Sequence, residues 1–67
     1  MVKEYNIMGV NITCRPIHTV DLYKIVHDEL GTWYEVVIDG ETFITSDNAI
    51  EAHKEYQNVV RVCKALH

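Results

Sequence analysis

Between Thr32 and Thr45 two short runs rich in β-branched and aromatic residues, Thr32-Trp33-Tyr34-Glu35-Val36-Val37-Ile38 and Glu41-Thr42-Phe43-Ile44-Thr45, flank Asp39-Gly40. Such runs suit a pleated, half-buried surface, and a two-residue Asp-Gly loop favours a type I′ turn. A hairpin follows, with Ile38 opposite Glu41 and Val36 opposite Phe43. Upstream, Val20-Asp21-Leu22-Tyr23-Lys24-Ile25-Val26-His27 reads as a strand joined to Trp33 through the turn Asp28-Glu29-Leu30-Gly31. Val10, Ile12 and Cys14 alternate with Asn11, Thr13 and Arg15, which predicts another strand ended by Pro16 or confined by it to an edge. Tyr5-Asn6-Ile7-Met8 reads as a short further strand before Gly9.

From Asp47 to Leu66 the period changes. This stretch holds no Gly or Pro and is rich in Ala, Glu, Lys and Gln. At 100° per residue Ala49, Ala52, Tyr56, Val59, Val60, Cys63 and Leu66 fall on one face, with Glu51, Lys54, Glu55, Gln57, Asn58 and Arg61 mostly opposite. Thr45, Ser46 and Asp47 are candidate N-caps, and Arg61 and Lys64 near the end complement the helix dipole. The expected fold class is α+β: an antiparallel β-meander of 4–5 strands followed by one C-terminal amphipathic helix packed on the sheet.

One helix covers one side of a sheet, yet the strands carry apolar side chains on both. Leu22 and Val26 alternate with Tyr23 and Ile25, and Tyr34, Val36 and Ile38 with Trp33 and Val37. The expectation is therefore a homodimer, through a sheet face or an edge strand, with Trp33, Tyr34 and Val37 at the interface.

At 67 residues the chain is a single domain, 1–67, whose lone core is small enough to benefit from association. A composition of 48% hydrophobic and 24% charged residues argues against disorder. No apolar run approaches the roughly 20 residues needed to cross a bilayer, and the first residues lack a signal-peptide core. A cytoplasmic location is the expectation, with Cys14 and Cys63 as reduced thiols.

Net charge is −4, against the positive field that supplies most nucleic-acid affinity. The imbalance is concentrated: Asp21 to Glu51 holds eight acids and one base, Lys24, a net of −7. Such a surface attracts a basic partner and speeds its association. Asp28, Glu29, Glu35, Asp39 and Glu41 are the candidate partner-binding residues.

Candidate chemistry is sparse. Cys14-x-x-x-His18 and Cys63-x-x-x-His67 supply four ligands of the types found in closed zinc sites, but without the tight Cys-x-x-Cys knuckle. Cys63 lies at the centre of the helix's apolar face, where a buried thiol is the default. No cofactor is expected. No glycine-rich phosphate loop, nucleophile elbow or paired-carboxylate signature occurs, so an enzyme is not expected either.

The run Leu22-Tyr23-Lys24-Ile25-Val26, the acidic turn ending in Gly31, Trp33-Tyr34-Glu35-Val36-Val37, then Thr45 and Asp47 leading into Ile50-Glu51-Ala52 resemble HicB-type antitoxins. The resemblance covers about Leu22 to Leu66, lacks that family's Leu-Pro-Gly segment, and implies a small βββα domain that binds a toxin and self-associates. The hairpin followed by Glu51-Ala52 is also similar to the arm-binding domains of phage integrases, although those use basic strands and these are acidic. The functional expectation is a non-enzymatic protein-binding regulator or inhibitor, antitoxin-like or phage-type, that sets an acidic hairpin face against a basic partner surface. The alternative is a small DNA-binding domain using Lys54, Arg61 and Lys64, and a lesser one is a zinc-stapled module.

Overall fold

The computed structural model describes residues 1–14 and 17–65, with side chains for residues 1–11 and 19–65. Four strands precede one helix: β1 (Val2–Cys14), β2 (Ile17–His27), β3 (Gly31–Ile38), β4 (Glu41–Ser46) and α1 (Ala49–Ala65). All neighbours are antiparallel in the order β1-β2-β3-β4, a meander with the helix on one face. The long axis is 41 Å, about the length of the 13-residue β1.

The two short strands expected before Pro16 are one. Gly9 makes no turn; it lies opposite Asp21, and an added Cβ would stand 2.3 Å from the Asp21 carboxylate. The glycine is therefore used for close approach, and the strand runs through it. Asn6 donates to the same carboxylate at 3.3 Å. A bulge between Asn6 and Met8 shifts the register. Lys3 and Tyr5 point to the helix side before it, and Met8 and Val10 after it, because their partners Val26, Lys24, Leu22 and Val20 alternate without interruption.

The β3–β4 turn has positive φ at both central residues, 51° at Asp39 and 85° at Gly40, as type I′ requires. Ile38 pairs with Glu41 as expected, but Val36 pairs with Ile44 rather than Phe43. The cause is a second bulge between Val36 and Val37. It brings Ile44 against the core and leaves Phe43 exposed beside the helix.

The core lies between α1 and one sheet face: Val20, Leu22 and Val36 pack with Ala52, Tyr56 and Cys63, bordered by Val10, Tyr34, Ile44, Val59 and Val60. From Ala52 to Cys63 the helix stripe thus follows the expected period, while Ala49 is exposed and Leu66 lies outside the described residues. The helix cap differs from expectation. Asn48, rather than Thr45, Ser46 or Asp47, accepts the N–H groups of Ile50 (2.9 Å) and Glu51 (3.1 Å), while Ser46 accepts from Asn48 N–H (3.1 Å). The turn after β4 uses two residues, Asp47 and Asn48, so the first free helical N–H groups arise after Asn48, three residues beyond the end of β4.

Burial pushes the Tyr56 phenol above its ordinary value, and the Asp21 carboxylate adds to the shift. A raised folded-state value means the neutral ring stabilises the fold below the ordinary tyrosine range, and that contribution is lost as pH rises through the folded value. Thermal melts between neutral pH and pH 11 are expected to show an alkaline decline that Tyr56→Phe flattens. An identical decline in the variant would assign it to other groups.

Candidate functional site: the open sheet face

Alternation along each strand decides which side chains face away from α1. On β1 these are Val2, Glu4 and Asn6; on β2, Asp21, Tyr23, Ile25 and His27; on β3, Trp33, Glu35 and Val37; on β4, Thr42 and Thr45. Three carboxylates, two aromatic rings and a histidine therefore share one surface. Among its described residues there is no Lys or Arg, because Lys3 and Lys24 alternate to the other side.

The centre of this face is organised by Glu35. Its carboxylate accepts the Trp33 indole N–H at 2.9 Å and the Thr42 hydroxyl at 3.1 Å. Both bonds are charge-assisted, so they hold the indole along the sheet rather than out in solvent. His27 stacks on Trp33 with centroids 6.3 Å apart, and its Nδ1 accepts the backbone N–H groups of Glu29 (3.1 Å) and Leu30 (3.0 Å). The imidazole thereby closes the turn between β2 and β3 and takes a structural role. A shallow depression of about 210 Å³ lies alongside, walled by Glu4, Tyr23, Glu35 and Thr42, with Ile25 and Val37 among its lining.

Ile25 and Val37 are only 3% and 8% exposed although no second layer covers them. Ile25 stands opposite Trp33 and in the row of Tyr23 and His27, so large neighbours on the same face shield it. A single chain thus closes much of a surface whose apolar character argued for a partner.

The expected partner-binding residues do not form one cluster. Asp28 and Glu29 are exposed in the β2–β3 turn, where the Met1 amine lies 2.9 Å from Asp28. Asp39 and Glu41 sit at the opposite end of β3, and Asp39 accepts the Thr19 N–H at 2.9 Å. Glu35 lies between the two ends on the open face. The structure brings Glu35 together instead with Glu4 and Asp21, which strand alternation alone could not reveal: β1 had first to be recognised as one bulged strand beside β2. Of the expected interface residues, Trp33 and Val37 share the open face, but Tyr34 lies on the other side, packed against the core under α1. A residue next to Trp33 in a strand must point the other way.

Cys63 is buried in the core. The side chains of Cys14 and His18, and all of His67, lie outside the described residues. Among the described residues no three His, Cys, Asp or Glu side chains gather as metal ligands. Lys54, Arg61 and Lys64 are all exposed on α1. No described helix is long and apolar enough to cross a membrane. Comparison with protein-family models, with characterised proteins and with solved structures gives no match to the chain.

Proposed function

We propose that this chain is a non-enzymatic, antitoxin-like protein-binding regulator that covers a basic surface of its partner with the open face of its sheet. The observation that carries this reading is the pairing of Glu4, Asp21 and Glu35 with Tyr23 and Trp33 on a face without described Lys or Arg. Carboxylates attract Lys and Arg side chains, and aromatic rings receive the same cations over their faces. Glu41 and Asp39 at the hairpin end extend the negative field beyond the face.

Not every acid on this surface tests the reading equally well. Glu35 and Asp39 are tied into Trp33, Thr42 and Thr19, so reversing their charge disturbs the fold as well as any contact. Glu4 is the exposed carboxylate of the open face and the informative position, whereas Glu41, opposite Ile38, points to the helix side. Capture from cell lysate on the immobilised chain, eluted with a salt gradient, is expected to recover a protein whose retention falls with salt. Glu4→Lys is expected to weaken retention about tenfold, with circular dichroism unchanged, and Glu41→Lys on the helix side to weaken it less. Retention insensitive to salt would overturn the reading. So would recovery of nucleic acid alone, abolished by Lys54→Glu, which would favour the basic residues of α1.

A further inference from the structure

Of the two edges of this sheet, β4 has six residues and β1 has thirteen. An edge strand presents an outward row of N–H and C=O groups that templates pairing with another chain, and natural sheets keep such edges short, charged or covered. Apart from its bulges, β1 is guarded little. Every residue from Val2 to Gly9 is exposed, charges occur only at Lys3 and Glu4, and the middle carries Tyr5, Ile7 and Met8 at 50%, 45% and 37% exposure.

We infer that β1 pairs antiparallel with β1 of a second copy, about a two-fold axis perpendicular to the sheet at the Asn6–Met8 bulge. The bulge makes the strand its own complement. Because it inverts the alternation, Tyr5 on one side of it and Met8 on the other both point to the helix side, as do Lys3 and Val10. The two-fold brings Tyr5 of one copy to Met8 of the other. On the open side it brings Glu4 to Gly9. From Tyr5 to Val10 no side chain is charged, so two chains of net −4 meet across a neutral stretch.

The area is sufficient. The chain exposes 4797 Å² over 67 residues. Ten residues of edge therefore present roughly 700 Å², and covering about seven-tenths of it in each copy removes ~1,000 Å² in total, the lower bound for a specific interface. A two-fold contact uses the same edge of both copies and stops at two, which also removes the longest unpaired edge of the sheet. The product is a continuous eight-stranded sheet with both open faces on one side, so the Glu4 carboxylates of the two copies flank the axis. This assembly does not depend on the regulator reading above.

Size-exclusion chromatography with light scattering on the full chain tests the inference, over a wide concentration range. The expected mass is twice that of the 7.8 kDa chain, falling towards one chain on dilution. Ile7→Lys places an ammonium from each copy beside the axis and is expected to raise the dissociation constant about a hundredfold, equivalent to ~2.7 kcal/mol. Tyr5→Lys, at a second exposed position, is expected to act in the same direction, and far-UV circular dichroism reports whether each variant is folded. A wild-type monomer at the highest concentration overturns the inference. So does a dimer that both folded variants leave intact.

Discussion

Leu22→Ala is expected to remove about 2–5 kcal/mol of stability, the range for truncating a buried leucine. Leu22 is among the largest fully buried side chains, on the β2 face that meets α1, with Met8 opposite it on β1 and Val36 on β3. Relaxation cannot easily refill the cavity, because flanking strands fix the positions of both neighbours and Tyr56 and Ala52 close it from above. A domain of this size holds roughly 3–10 kcal/mol in total, so the loss is a large fraction of it. The melting temperature should fall by more than about 10 °C. Leu30→Ala is the matched control: Leu30 is exposed in the β2–β3 turn, and its change should stay within about 0.5 kcal/mol. Equal effects in the two variants would show that the core is not where the helix meets the sheet.

Trp33→Ala is the second large effect, expected at about 2–3 kcal/mol by urea denaturation followed by circular dichroism. The indole is half-buried, donates to Glu35, stacks against His27 and stands opposite Ile25. Removing it uncovers Ile25, leaves the Glu35 carboxylate one donor short, and loosens the histidine that closes the adjoining turn. Trp33→Phe keeps a ring over the strand and loses the N–H bond alone, so about 1 kcal/mol is expected. If Trp33→Ala were neutral, the open face would have to be shielded by something other than its own aromatic side chains. A larger loss at high protein concentration than at low would instead assign Trp33 to an interface between chains.

Both effects bear on how a sheet with apolar residues on its two faces survives with one helix. The length of the apolar runs correctly pointed to two apolar surfaces, but not to the way each is covered. On one side α1 supplies the second layer. On the other, the rows of Tyr23, Ile25 and His27 and of Trp33, Glu35 and Val37 close over their own smaller members. Cross-strand register decides this, since Ile25 is shielded only because Trp33 lands opposite it. The unpaired feature is then the edge of β1, where the exposed Tyr5, Ile7 and Met8 lie.

By itself the sequence determined whatever depends on neighbours a few residues apart. Asp39-Gly40 set the type I′ turn because few residue pairs tolerate two successive positive φ values. The helical period of Ala52, Tyr56 and Cys63 set the buried face of α1, and the meander with a terminal helix followed from the order of those local signals. What only the tertiary structure decided depends on residues brought together from afar. Gly9 could not be told from a turn glycine until Asp21 filled the space beside it, and the bulges at Asn6–Met8 and Val36–Val37, each adding one residue to a period of two, reversed which side chains share a face. The acidic face is completed by the β1 bulge, which turns Glu4 to the side that the unbroken β2–β3 register gives Asp21 and Glu35; a one-residue slip in any of the three strands would point its carboxylate to the other side of the sheet.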